Sequence, residues 1–172
     1  MYNVSMSYLK KSRQNEIDVK INEVLLATDK SYPDNGLEEI IESYGNIKTS
    51  EATFDFAKDQ ILGAIVYGDD NPRIIINKDL SPARKTFTLA HEFGHFILHK
   101  EQDLFRLDFV NYDDSEDALK ETEANYFEAS LLMPKERFLE IFALLKREKL
   151  VAEYFGVSVD AVRNRMTWIK EN

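Results

Sequence analysis

Three observations predict an α+β fold. Two β-branched runs, residues 61–67 and 73–77, flank a dense turn signal. A helical pattern carrying two histidines follows them directly, and apolar residues recur at helical spacing toward both ends of the chain. The expected arrangement is a small sheet packed on the histidine-bearing helix, with further helices on either side. At 172 residues the chain has enough mass to bury a real core as one domain. We expect a single domain over residues 1–172, with an N-terminal helical part (1–52), a central part of sheet and histidine helix (53–134) and C-terminal helices (135–172).

The elements follow in order. Residues 16–28 place Ile17, Ile21, Val24 and Leu25 at helical spacing with charges between them. Ser31-Tyr32-Pro33-Asp34 reads as a turn, and Gly36 to Tyr44 as a short second helix closing at Gly45. Ile61 to Tyr67 suits a buried strand, Gly68-Asp69-Asp70-Asn71-Pro72 a turn, and Arg73-Ile74-Ile75-Ile76-Asn77 a second strand, so the three make a hairpin. Ser81-Pro82 supplies an N-cap and a proline at the first helical position, opening a helix that runs to about Lys100. Residues 101–115 read as a loop ending in the acidic stretch Asp113 to Asp117. A further helix runs to Met133, with Pro134 as its break. The remainder is helical, and Phe138, Ile141, Phe142 and Leu145 form one apolar stripe.

Composition excludes several classes of function. A net charge of -9 argues against general nucleic-acid or anionic-membrane binding, which needs clustered Lys and Arg, and favours a basic protein partner. The chain has no cysteine, so any metal must be held by nitrogen and oxygen rather than thiolate. Met1 to Lys20 is polar, unlike a signal peptide, and the longest apolar run is far too short to span a bilayer. A cytoplasmic protein is expected.

The histidine helix carries the chemistry. Residues 91–95 read His-Glu-Phe-Gly-His, and i, i+4 positions lie on one helical face, about 6 Å apart along the axis. His91 and His95 can therefore present two imidazole nitrogens to one Zn²⁺, and Glu92 beside them can take a proton from water at the metal. All three histidines of the chain lie between residues 91 and 99. His99 stands about 12 Å along the axis from His91, too far to share the ion, and is assigned to the surroundings of the site. The longer metzincin pattern would place a histidine at position 101, which is Glu101.

The third ligand is expected from the next helix, where Glu121, Glu123 and Glu128 compete. If Ala124, Phe127 and Leu131 pack inward, Glu121 and Asn125 lie at the edge of the core, whereas Glu123 is rotated away. Glu121 is therefore preferred, with Glu123 or Glu128 as the alternatives.

The stretch Arg84-Lys85-Thr86-Phe87-Thr88-Leu89-Ala90-His91-Glu92-Phe93-Gly94-His95-Phe96-Ile97-Leu98-His99 resembles the ImmA/IrrE-type metallopeptidases, as does Glu121-Thr122-Glu123-Ala124-Asn125-Tyr126-Phe127-Glu128-Ala129-Ser130-Leu131-Leu132-Met133-Pro134. The resemblance covers about residues 60–166. It implies a zincin-like α+β fold with His91, His95 and Glu121 as zinc ligands and Glu92 as catalytic base. The family usually has a small residue where this chain has Glu128, which can alter the surroundings of the site or compete for the metal. The resemblance further implies a regulatory setting. Members often sit on mobile elements or in stress-response operons, and some cleave a helix-turn-helix repressor encoded nearby or pair with one in toxin–antitoxin-like arrangements.

These readings converge on a zinc-dependent endopeptidase acting on a regulatory protein, with Mn²⁺ or Fe²⁺ as alternative metals. If Arg73–Asn77 is a sheet edge, Arg73, Ile74, Ile75, Ile76 and Asn77 could receive substrate as an added strand. Asn125 or Tyr126 could steady an oxyanion or orient a ligand, although ordinary packing accounts for both. Two rival readings remain. Residues 151–163 look like a helix-turn-helix, with Gly156 at the turn, Ser158 as cap and Arg163 and Arg165 as a thin positive stripe, which suggests DNA binding. Alternatively, the metal site is structural and the chain is a non-catalytic repressor- or antitoxin-binding module.

Overall fold

The structure, a computed structural model, describes residues 9–55, 61–67, 71–99, 105–109 and 115–171, the side chains of 105–109, 115–117 and 171 excepted. Helix α1 (Lys11–Thr28) buries Ile17, Ile21 and Val24 at the expected spacing, and begins a turn earlier than the apolar pattern indicates, with Gln14 also buried. The Gln14 amide repays that burial by donating to the Leu9 carbonyl at 2.9 Å. Helix α2 (Leu37–Gly45) buries Leu37, Ile40 and Ile41 and stops at Asn46 in the left-handed conformation.

The sheet has four strands, β1 (Lys48–Ala52), β2 (Ile61–Val66), β3 (Arg73–Asn77) and β4 (Phe105–Phe109), in the order β1-β3-β2-β4. Strands β2 and β3 form the anticipated antiparallel pair, with Ile65 opposite Ile74 and Gly63 opposite Ile76. Part of the turn signal between them, residues 68–70, lies outside the described residues. Strand β4 is antiparallel to β2, whereas β1 is parallel to β3.

Both outer strands depart from the sequence reading. Lys48–Ala52 was not expected to be a strand, and the stretch holding Phe105–Phe109 was expected to be loop. Edge strands bury little, so Lys-Thr-Ser-Glu-Ala carries no apolar alternation to reveal it. Strand β1 also corrects the edge assignment of β3. Arg73–Asn77 pairs with β1 on one side and β2 on the other, so its main chain is already committed.

Helix α3 (Pro82–Leu98) packs on β2 and β3 and carries residues 91–95 within its buried face. Pro82 takes the first turn as expected, but the Ser81 side chain makes no capping bond, and His99 is the C-cap. Two glycines set how closely α3 is approached. A Cβ at Gly63 of β2 would lie 3.0 Å from Cγ2 of Thr88 and 3.3 Å from Cγ of Glu92. A Cβ at Gly94 would lie 3.1 Å from Cδ1 of Phe127. Phe127 belongs to α4 (Ser115–Leu132), whose Ala124, Phe127 and Leu131 are fully buried. The rings of Phe93 and Phe127 meet edge to face at 5.8 Å, locking the two helices at this crossing.

Pro134 ends α4, and α5 (Lys135–Leu145), α6 (Glu148–Phe155) and α7 (Val159–Glu171) follow. Gly156 turns the chain at φ +62°, where its carbonyl neighbour Phe155 accepts the Tyr32 hydroxyl at 2.7 Å. Ser158 Oγ caps α7 by accepting the Ala161 N–H at 3.1 Å. Arg165 of α7 is buried and donates to the Met133 carbonyl at 2.9 Å and to Ser130 Oγ at 3.0 Å, closing the end of α4. On this same side the Tyr126 hydroxyl donates to Asp18 of α1 at 3.0 Å, and its ring lies 4.6 Å from that of Trp168. No helix among the described residues is long and apolar enough to cross a membrane.

Gly94→Ala gains roughly 0.5–1 kcal/mol of helix propensity but forces a methyl against the Phe127 ring, an overpacking that costs about 1–3 kcal/mol. Net destabilisation is expected in urea unfolding of the metal-free chain; a variant as stable as the parent would contradict the tight α3–α4 crossing. A second expectation concerns Tyr126. Burial, then the neighbouring Asp18 charge, push its phenol up to about 12. The folded chain therefore keeps a proton that the unfolded chain releases at the ordinary phenol pKa. This stabilising contribution is present below the unfolded pKa of about 10 and is lost as pH rises through the folded value. The phenolate absorbance difference between the parent and Tyr126→Phe should show this late titration, moved earlier but not to the ordinary value in Asp18→Asn. A Tyr126 that titrates with exposed tyrosines would refute it.

Candidate metal centre

The α3–α4 crossing brings three donor groups together. His91 and His95 are one turn apart on α3, with their Nε2 atoms 3.0 Å from each other. Glu121, on the first half of α4, places Oε2 3.1 Å from His91 Nε2 and Oε1 3.2 Å from His95 Nε2. The donor atoms of all three residues lie within 4.8 Å of one another. His91 and His95 are buried, and Glu121 is half-buried at the rim, as the helical-face argument anticipated for a residue at the edge of the core. Burial by itself would raise the Glu121 carboxyl; in the metal-free chain the imidazoles of His91 and His95 outweigh it and hold the carboxyl well below its ordinary range.

The outer nitrogens of both imidazoles are engaged as well. His91 Nδ1 lies 3.1 Å from Glu128 Oε2, a carboxylate that accepts from Nδ1–H in the tautomer that offers Nε2 to a cation. His95 Nδ1 lies 2.9 Å from His99 Nδ1. With both rings in the tautomer protonated at Nδ1, two Nε2 lone pairs and a carboxylate converge on one point. Such a cluster repels itself without a cation and fits one with it. Two nitrogens and an oxygen, without sulfur, form a donor set suited to a divalent metal such as zinc.

The remaining sequence-predicted residues divide clearly. Glu92 is fully buried on α3 between the two histidines, with its stem against Gly63 of β2. Glu128 sits behind His91, outside the donor group, instead of replacing Glu121 in it. Glu123 is buried, though the sequence reading turned it outward, and it contacts His99 Nε2 at 3.0 Å and Arg13 of α1 at 2.7 and 2.8 Å. Burial would raise the Glu123 carboxyl, but Arg13 and then His99 hold it below its ordinary range. Asn125 is half-buried.

Two expectations need correction here. The Tyr126 hydroxyl, suggested as a group near the metal ligands, is instead bonded to Asp18 on the α1 side of α4. Five residues along a helix separate it from Glu121 by well over a quarter turn, which accounts for the different face. Arg73–Asn77 fails the condition set for strand addition, because β3 is internal and Ile74, Ile76 and Asn77 are buried. Sequence reasoning also missed Arg13, whose contact with Glu123 spans 110 residues and leaves no local signal.

The helix-turn-helix-like pair is present as α6 and α7, but the arginine stripe expected on it is already engaged. Arg165 is buried, and Arg163 pairs with Glu148 at 2.7 Å and with Asp160 at 3.3 Å. The pair completes the packing against α4 and α5, which disfavours the DNA-binding reading.

Comparison with known proteins agrees with this architecture. Residues 40–167 match the profile of peptidase family M78, the IrrE N-terminal-like domain. Over 83 residues the chain is 37% identical to the uncharacterized immunity region protein 2 of Bacillus phage phi105, covering 44% of this chain and 46% of that protein. Over 71 residues it is 38% identical to the radiation response metalloprotease IrrE of Deinococcus deserti, covering 41% of this chain and 25% of that protein. In fold it is similar to a Mycobacterium tuberculosis transcriptional regulator, with a TM-score of 0.59 at 19% identity, covering 91% of this chain and 48% of the other. These matches span less than half the length of each relative. The profile match includes the histidine helix, the sheet and α4, so most of the chain is accounted for. The chain belongs to the IrrE N-terminal-like family of metallopeptidases.

Proposed function

We propose that this chain is a zinc-dependent endopeptidase that hydrolyses a peptide bond in a cytoplasmic regulatory protein, specifically a helix-turn-helix repressor encoded nearby. The convergence of His91 Nε2, His95 Nε2 and the Glu121 carboxylate beside the buried Glu92 carries the reading. The regulatory setting draws on the relatives, one named for a phage immunity region and one for a radiation response. Residues 1–172 act as one unit, since α1 reaches the site through Arg13.

His91, His95 and Glu121 hold the ion, with zinc favoured by the donor set and Mn²⁺ or Fe²⁺ as alternatives. When bound, the metal supplies a Lewis acid that polarises the scissile carbonyl and brings the pKa of water to about 7. Glu92 accepts a proton from the attacking water and passes it to the leaving amine, a shuttle a carboxylate performs well when held next to the reacting atoms. Glu128 and His99 keep the histidine rings in the tautomer that leaves Nε2 free. The substrate backbone lies along β4. Among the described residues that strand ends the sheet, and it pairs with β2, whose Gly63 packs on Glu92.

A purified chain should hold about one zinc, which Glu121→Ala should release. Glu92→Gln should keep the metal while cleavage of a co-purified neighbouring repressor falls roughly 10²–10⁴-fold. Undiminished biological effect from a metal-loaded Glu92→Gln would instead favour a binding module without turnover. An intact repressor beside fully loaded parent protein would do the same.

A further inference from the structure

We propose that Arg13 of α1 is a positioning residue for the metal site, acting on His95 through Glu123 and His99. The inference rests on the reading of His91, His95 and Glu121 as ligands, and concerns what holds one of those ligands in place.

The two histidines are backed differently. His91 meets an α4 carboxylate directly, with Glu128 Oε2 3.1 Å from its Nδ1. His95 Nδ1 instead faces His99 Nδ1 at 2.9 Å, and His99 Nε2 then reaches Glu123 Oε2 at 3.0 Å. Only one distribution of protons satisfies every contact with His95 offering Nε2 to a cation. His95 Nδ1–H donates to an unprotonated His99 Nδ1, and His99 Nε2–H donates to the Glu123 carboxylate. Glu123 therefore sets the tautomer of His99, which sets that of His95.

Glu123 can do this only if its carboxylate is held in place, and Arg13 holds it. Its Nε donates to Oε1 at 2.8 Å and its Nη2 to Oε2 at 2.7 Å, a two-pronged grip that holds the plane of the carboxylate. Glu123 is 6% exposed, so the charge has little help from water. Arg13 itself is held on its other side by Glu16, whose Oε2 lies 2.8 Å from Nη1. The chain of contacts thus runs from α1, which precedes the family match at residues 40–167, to a nitrogen on the opposite side of the ring from the metal.

Zn²⁺ affinity of the full-length chain, measured by competition with a chelating dye, tests the proposal alongside the visible spectrum of the Co²⁺-loaded protein. Arg13→Met should weaken Zn²⁺ binding about 10-fold, as loss of a support behind a ligand does. It should also shift the Co²⁺ bands while circular dichroism of the metal-free protein stays native. In the Arg13→Met/His99→Leu double variant, affinity should fall no further than in His99→Leu alone, because both changes break one chain. A folded Arg13→Met with parental affinity and spectrum overturns the proposal, as do losses that multiply in the double variant. If Arg13→Met does not fold, Arg13→Lys decides: it keeps the charge but loses the two-pronged grip, and parental Zn²⁺ affinity in it overturns the proposal. Failure of the parent chain to bind Zn²⁺ would overturn the ligand assignment itself, a separate outcome from parental binding that Arg13 does not influence.

Discussion

The close approach of α3 and α4 at Gly94 and Phe127 is the constraint on which the site depends. A Cβ at position 94 would press on the Phe127 side chain at 3.1 Å and force it to give way. The proposed ligands on α3 are one turn apart and fixed by helical geometry alone, but Glu121 comes from another helix. Its carboxylate reaches both Nε2 atoms at 3.1 and 3.2 Å only because the backbones cross so closely. The glycine in His-Glu-Phe-Gly-His is thus as much a part of the site's geometry as the histidines are. Gly63 plays the matching role on the sheet side, where it admits Thr88 and Glu92 against β2.

Electrostatics then explains how three acidic groups on α4 come to be half-buried or buried. Glu121, Glu123 and Glu128 would destabilise the core if each were left with an uncompensated charge. Each instead faces an imidazole: Glu121 the inner nitrogens of His91 and His95, Glu128 the outer nitrogen of His91, and Glu123 the far nitrogen of His99. The three carboxylates and three histidines form one connected network. Arg13 supplies positive charge at the Glu123 end, and a cation at the centre would relieve the facing lone pairs. Binding of a metal here would be coupled to folding, since neither the donors nor their supports are assembled in an unfolded chain.

What the sequence made legible follows the range of each interaction. The spacing of His91 and His95, the inward stripe of Ala124, Phe127 and Leu131, and the hairpin of β2 and β3 are local periodicities, and they were readable. Glu121 was readable because a helical wheel ranks its neighbours without knowing the partner helix. Strand β1 was not, because Lys-Thr-Ser-Glu-Ala has no apolar alternation; β4 does alternate, as Phe-Arg-Leu-Asp-Phe, but so short a run was read as part of a loop. Missing β1 then turned β3 into an apparent edge. Glu128 stood out as a departure from the family pattern, but only the structure places it behind His91. Tyr126 and Glu123 show the limit of ranking one helix alone. Each faces a neighbour from α1, a helix whose own pattern says nothing about where it docks.

Helix α1 is consequently more than an N-terminal addition. On one side of α4, Asp18 accepts the Tyr126 hydroxyl; on another, Arg13 grips Glu123. Both contacts engage α4 through polar groups that are at least partly shielded from water, where hydrogen bonds to charges are stronger than at an open surface. An element held by apolar contacts alone can slide by small amounts at little cost, whereas directional bonds from two charged residues on α1 fix both rotation and register. Rotating α4 by a few degrees would move Glu121 relative to His91 and His95 and loosen Glu123 from His99 at the same time. The rotation that α1 resists is therefore the motion to which the donor cluster is most sensitive, and the N-terminal helix and that candidate cluster are parts of a single mechanical unit.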